Sequence, residues 1–397
     1  MKPQFAWTAA ATLATLSLST VALLPAGHVS AVPRPEGFER IRGDQWHLRY
    51  LKVAEAHRIS QGEGIVVAVP DTGVDPHPDL RNNLLPGKDI ISGGHGNGQQ
   101  DQNSHGTGMA GLIAAHGRKG GVGALGIAPK AKILPLYDTP KNGLGEADDL
   151  AASIEYAILQ GVDVISVSAT SSPTVPLQQA IKAALNANVV VVAGVGNWPR
   201  EGAIGYPASH PGVIAVGGVD RAGNHAQVSV IGPGIDVVAP AVDIYSTSID
   251  GKYRKGTGTS DAAAMVAGAA ALIRANYPYL SAEEVAHRLT ATAVDKGPPG
   301  RDDEYGYGVV DLVAALTADV PPLGFDAVAT PPTEAAPPPG SQAGPVISTD
   351  GGRRARGRNS TTRQLVVLGV LAAGAGAYAL IQRRRRRGDD PPPRISR

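Results

Sequence analysis

Five stretches of the chain are apolar almost without a break and end in turn-forming residues: GIVVAVPD (64–71), AKILPLY (131–137), VDVISVS (162–168), NVVVVAGVG (188–196) and GVIAVGGV (212–219). A strand with one wet face alternates apolar and polar positions. These do not alternate, and they are rich in β-branched Val and Ile. They predict strands covered on both faces, the situation of a parallel sheet. Alanine-rich segments of helical length lie between them: MAGLIAAHG after His105, EADDLAASIEYAILQ after Gly145 and LQQAIKAALNAN after Pro176. Strand alternating with helix predicts an α/β, three-layer, doubly wound domain with a mainly parallel sheet. In that architecture function gathers beyond the carboxyl ends of the strands.

The two ends of the chain have other patterns. Lys2 precedes an apolar run over residues 9–24, and Val29-Ser30-Ala31 offers small residues for cleavage. This predicts a secretory signal peptide over 1–31. A short polar extension follows over 32–63, then the domain over 64–317. Residues 318–364 are rich in Pro, Ala and Gly and then in Arg, and predict an extended linker. Residues 365–381, LVVLGVLAAGAGAYALI, are apolar throughout and span roughly 25 Å as a helix at ~1.5 Å per residue. Flanking glutamines and arginines bring that close to a ~30 Å hydrocarbon core, so one transmembrane helix is expected. The tail, 382–397, contains five consecutive arginines (383–387). The signal peptide places the domain outside the cell membrane and the arginine-dense tail in the cytoplasm, as the positive-inside rule prefers.

Composition narrows the chemistry. A formal net charge of +1 over 397 residues suggests no nucleic-acid partner. The absence of cysteine removes disulfides, thiol catalysis and cysteine-ligated zinc. Aromatic residues make up only 4%, so the core must be aliphatic.

Three motifs stand where chemistry is expected. Asp71 ends the first apolar run in PDTGVDPHPDL. His105, in NSHGTGMAGLIAAH, opens a helix, and Ser260, in GTGTSDAAAMVAG, opens another. Singly they are a turn former, a helix-start residue and an N-cap. Asp71 lies in the chain's one DTG, whereas an aspartic-protease dyad needs two. Together they supply what a hydroxyl nucleophile requires. An imidazole takes its proton, and a carboxylate fixes the tautomer and stabilises the charged form.

With these flanking residues the chain resembles the subtilisin family over about residues 45–316. The resemblance lies in QWHLRYLKVAEAHRISQGEGIVVAVPDTGVDPHPDL, HGTGMAGLIAA, IAPKAKILPLY, VVVVAGVGN, YPASHPGVIAVGGVD, DVVAP and GTSDAAAMVAG. It implies a serine endopeptidase in which Asp71 orients, His105 is base then acid, and Ser260 attacks. It makes Asn197 the oxyanion donor. It implies that protein or peptide substrate pairs in β fashion near Gly143-Leu144-Gly145 and Ser166-Val167-Ser168-Ala169, so Gly143, Gly145, Ser166 and Ser168 are the expected substrate-binding positions. No cofactor takes part, and no carboxylate loop is assigned to a structural calcium. Pro70, Asp261 and Ala264 depart from the family's usual aliphatic residue, Met or Phe, and proline. Asp261 has two readings: a favourable charge at a helix start, or a carboxylate that draws a basic residue to the leaving-group side and raises the pKa of His105.

About thirteen residues separate Ala31 from Gln45, too few for a folded inhibitory prodomain. Signal peptide, short extension, Pro-rich linker, single membrane helix and basic tail resemble the mycosins, membrane-anchored subtilisin-like proteases of type VII secretion systems. That resemblance implies secretion-system components as partners. It also implies an alternative role as a structural stabiliser of the secretion complex, with proteolysis secondary or absent.

Overall fold

The computed structural model describes residues 37–91 and 95–323. The expected signal peptide, membrane helix (365–381) and basic tail lie outside the described residues, as does the linker beyond residue 323. Among the described residues no helix is long and apolar enough to cross a membrane.

In chain order the elements are α1 (Gly37–Asp44), α2 (Trp46–Tyr50), α3 (Val53–Ala56), β1 (Val66–Asp71), β2 (Lys88–Asp89), α4 (His105–Ala114), β3 (Lys132–Tyr137), α5 (Ala147–Leu159), β4 (Val164–Val167), α6 (Val175–Asn186), β5 (Val190–Gly194), β6 (Ile214–Val219), β7 (Val237–Pro240), β8 (Ile244–Thr247), β9 (Tyr253–Gly256), α7 (Thr259–Asn276), α8 (Ala282–Ala291) and α9 (Leu312–Thr317). The strands β1 to β7 form one sheet in the order β2-β3-β1-β4-β5-β6-β7, with each neighbouring pair parallel. β8 and β9 form a separate antiparallel hairpin.

Successive side chains of a strand point to opposite faces, and here both faces are apolar. Val67, Val69, Ile133, Val164, Val192 and Val216 join one core with α4, α7, α8 and α9. Ala68, Leu134, Ile165, Val191 and Ala215 join a second core with α5 and α6. Hence the continuous apolar runs and the three layers. α7 is buried along nearly its whole length because it is built from alanine, glycine and a few aliphatics. Ala264 continues it as a regular helix. Pro70 sits in β1, but the register with β4 is held only at Val67 and Ala68, so Pro70 lies beyond the ladder on that side.

The segment read as a polar extension, 32–63, needs correction. From Gly37 onward it carries α1 to α3, and Trp46, Leu48, Leu51, Val53 and Ala56 are buried in the first core. The Trp46 indole donates to the carbonyls of Val242 (3.2 Å) and Asp243 (3.1 Å). Three helices of eight, five and four residues are too short to show a sustained apolar period.

His47, on α2, is 1% exposed, and neither ring nitrogen has a hydrogen-bond partner among the described residues. Burial alone pushes its pKa down to about 3. The unfolded chain therefore takes up this proton first, near pH 6.5. Stability falls as pH drops from there toward about 3, by about 1.4 kcal/mol per pH unit. His47→Leu is expected to retain about 2 kcal/mol more of its neutral-pH stability at pH 5 than the parent protein does. Denaturant midpoints at pH 7.5 and pH 5 measure this, and parallel losses in the two proteins would refute it.

Candidate active site

β1 is the point where the sheet order reverses, with β3 on one side and β4 on the other. Crevices open beyond the carboxyl ends of strands at such a point. Asp71 is the last residue of β1 and 4% exposed. One of its carboxylate oxygens accepts from the Thr72 N–H at 2.7 Å, and both lie 2.9 Å from His105 Nδ1.

His105 is the first residue of α4, and the turn before it is tied down by Asp101. The Asp101 carboxylate accepts from the backbone N–H of Asn103 (2.8 Å), Ser104 (2.9 Å) and Thr107 (3.0 Å), and from the hydroxyls of Thr107 (2.6 Å) and Thr72 (3.0 Å). The Thr72 hydroxyl in turn accepts from the Gly106 N–H at 3.0 Å. The helix start is thus bound to the strand end that carries Asp71. Gly106 is required there: a Cβ would lie 2.1 Å from the carbonyl oxygen of Gly73 and 3.1 Å from the Asp71 carboxylate. Burial of the imidazole opposes its protonation, but the charge and hydrogen bond of Asp71 outweigh burial. Arg254 lowers the pKa and Asp261 raises it, and the net result lies above the ordinary histidine value.

α7 begins at Thr259, one residue ahead of Ser260. The Ser260 hydroxyl donates to the Ser168 carbonyl at 3.0 Å rather than to the imidazole. Asn197 follows β5 and is clamped at both ends. Its backbone N–H donates to Glu201 (2.7 Å), and its side-chain oxygen accepts from the Thr259 N–H (2.9 Å). With the oxygen so engaged, the amide NH2 is the end left for the cleft.

Asp71, His105, Ser260 and Asn197 line one cleft of about 370 Å³, together with Gly143, Gly145 and Ser168. Ser166 is the exception among the expected positions. It lies inside β4, 1% exposed, and is not part of the cleft wall. β4 ends at Val167, so Ser168 lines the crevice where Ser166, inside the strand, does not.

Two charged features of the cleft were not foreseen. Asp138, just after β3, is 3% exposed and lines the cleft. Burial, reinforced by the charges of Asp71 and Asp149, pushes its pKa up to about 7, against the hydrogen bond that the Thr139 hydroxyl donates at 2.9 Å. Arg254, on β9, stands close to Asp261 and lines the same cleft. Asp261 is 2% exposed and faces a guanidinium; it stands in the first turn of α7, as the first reading has it, and its charge raises the pKa of His105, as the second has it, while Arg254 lowers that pKa. Asp101 had a legible signal, an Asp three residues before Ser104 and six before Thr107 at a helix start. Arg254 had none, since the hairpin that presents it reads as a polar loop.

A carboxylate on one imidazole nitrogen, a hydroxyl at a helix start and a clamped amide in one cleft are the parts needed for acyl transfer through a serine. Comparisons agree. Residues 62–308 match the subtilase family, peptidase S8. Subtilisin Savinase of Lederbergia lenta is 38% identical over 272 residues, 68% of this chain and 97% of that one. The thermostable alkaline protease of Halalkalibacterium halodurans is 37% identical over 267 residues, 67% of this chain and 71% of that one. Among solved structures, MycP1 with its N-terminal propeptide removed is similar at a TM-score of 0.64 with 32% identity, covering 70% of this chain and 98% of that one. MycP1 from Mycobacterium smegmatis is similar at 0.64 with 30% identity, covering 73% and 88%. The chain belongs to the subtilase family of serine peptidases.

Proposed function

We propose that the chain is a membrane-tethered, extracytoplasmic serine endopeptidase that works with a type VII secretion system. The observation that carries the catalytic part is the 2.9 Å approach of both Asp71 oxygens to His105 Nδ1. It fixes the tautomer that carries its proton on Nδ1, which leaves Nε2 free to act as the base. Asp71 orients, His105 takes the hydroxyl proton and later gives it to the leaving amine, and Ser260 attacks the carbonyl carbon. The oxyanion is received by the Asn197 amide and the Ser260 N–H in the first turn of α7. Gly143, Gly145 and Ser168 hold the acyl-side main chain of a protein or peptide substrate.

The secretion role is supported by the structural likeness to MycP1, described as an essential component of the type VII (ESX-1) secretion system. The tether is supported by the sequence alone, through residues 1–31 and 365–381. The linker of about forty residues reaches on the order of 35–40 Å as a flexible coil, so the enzyme acts on what passes close to the membrane. A purely structural role makes a different prediction. Extracellular protein fragments from cells carrying the parent chain and Ser260→Ala separate the two. Peptides absent from Ser260→Ala cells are expected; identical fragment sets would leave the structural role standing and the proteolytic one without support.

A further inference from the structure

The β8–β9 hairpin leans on the first turn of α4, the turn that carries His105. From β8 the hydroxyls of Ser246 and Thr247 donate to the carbonyls of Gly108 and Thr107, each at 2.7 Å. Both hydroxyl side chains are fully buried. From β9 the side chain of Arg254 lies over Gly108. A Cβ at that glycine would stand 2.5 Å from Nη1 and 2.8 Å from Cδ of the arginine. Gly108 is therefore a slot for Arg254, three residues on from His105 and on the same face of the helix. Nη1 is buried and has no hydrogen-bond partner among the described residues. The hairpin backbone and the slot, rather than a polar contact of that nitrogen, set its place.

The hairpin is anchored through Tyr253, the residue before Arg254. Neighbouring side chains of a strand point to opposite faces, so Tyr253 leaves β9 on the side away from the arginine. Its hydroxyl donates to Asp79 at 2.7 Å, and its ring packs on Ile41 of α1, Ala115 and Ala124. Asp79 is fully buried and is itself held by the Arg118 guanidinium and by the Ala124 N–H at 2.7 Å. Burial and the bond to Asp79 push the phenol pKa up, so the hydroxyl keeps the proton it donates.

We propose that the Tyr253–Asp79 contact is a strut that holds the β8–β9 hairpin, and with it Arg254, against the first turn of α4, and that Tyr253 and Arg254 are thereby positioning residues for His105. This rests on the serine endopeptidase reading. The charged groups that act on the imidazole are Asp71 from β1, Arg254 from β9 and Asp261 from α7. Burial and Arg254 oppose its protonation; Asp71 and Asp261 favour it. A general base must be neutral before it can take the serine proton. The guanidinium in its slot therefore keeps His105 usable at a lower pH than the two carboxylates alone would leave it.

The test reads kcat/KM of the full-length protein on one peptide across the pH range. Arg254→Met should move the acid limb to higher pH, lowering kcat/KM at about pH 6 relative to about pH 8 by about three- to tenfold, the scale of one charge at close range. Tyr253→Phe keeps the ring and removes only the hydroxyl, so the limb should move the same way by less. The double variant should match Arg254→Met alone, because without the guanidinium the strut has nothing to place. Arg254→Lys restores the charge and should bring the limb back toward the parent's. Lys255→Met, on the exposed neighbour in β9, should leave the limb where it is. An unmoved limb in Tyr253→Phe, or shifts that add in the double variant, would overturn the strut, whatever happens to kcat or the unfolding midpoint, which a merely structural tyrosine would also change. An unmoved limb in Arg254→Met would overturn the part given to the arginine. A parent protein that neither cleaves nor reacts with a fluorophosphonate at Ser260 would instead overturn the protease reading and the strut's role with it. Labelling and cleavage with an unmoved limb in both variants would overturn the positioning role alone.

Discussion

Ser260→Ala is expected to lower kcat by about 10⁶-fold, and His105→Ala by as much, the scale found when the triad of subtilisin, a relative of this chain, is dismantled. The double variant should lose no more than either single one. The two residues act in one proton transfer: the hydroxyl is too weakly acidic to attack without the imidazole, and the imidazole has nothing to activate without the hydroxyl. Asp71→Ala should cost about 10⁴-fold, because the base survives but loses its tautomer and the partner of its charged form. The loop held by Asp101 and Thr72 keeps His105 at the helix start even then. Turnover of a chromogenic peptide by the full-length protein gives the comparison. Losses that add in the double variant, or a single variant within a hundredfold of the parent, would show that the groups do not act together.

Much of this was legible in the sequence, for identifiable reasons. A central strand of a covered parallel sheet has no wet face, so β1, β3, β4, β5 and β6 each leave an unbroken apolar run. Asp71, His105 and Ser260 stand at ends of elements, where a strand pattern or a helix pattern begins or stops, and small residues mark the close approaches there. What was not legible lacks either signal. β2 is two residues long, and β9 reads Tyr-Arg-Lys-Gly, which no apolar pattern singles out. Its position comes from pairing with β8 and from the Tyr253 hydroxyl, which donates to buried Asp79 at 2.7 Å. The opposition of Arg254 to Asp261 follows from that hairpin, so one sequence neighbour could not reveal it. Ser166 shows the converse. A motif names four consecutive residues, but a strand buries every one that precedes its carboxyl end.

Asn197→Ala is expected to lower kcat by about 10²–10³-fold with little change in KM, the scale measured for the oxyanion asparagine of subtilisin. The reason is in the clamp. The side-chain oxygen accepts from the Thr259 N–H at 2.9 Å, and the Asn197 backbone N–H is held by Glu201 at 2.7 Å. The amide therefore cannot turn its oxygen toward the cleft, and its donor stands ready where charge develops on the carbonyl oxygen. A donor that meets a full charge only in the transition state changes kcat rather than substrate binding. Alanine also frees the Thr259 N–H at the start of α7, so part of its effect could come from a displaced Ser260. Asn197→Asp separates the two causes. It keeps an oxygen for Thr259 but replaces the donor with a second acceptor, and adds negative charge beside the developing oxyanion. If the amide donor is what matters, the aspartate variant loses at least as much kcat as the alanine variant while its unfolding midpoint stays closer to that of the parent. A substantially active aspartate variant beside an inactive alanine variant would mean that Asn197 serves to place the helix start, and that the oxyanion is stabilised by the Ser260 N–H without it.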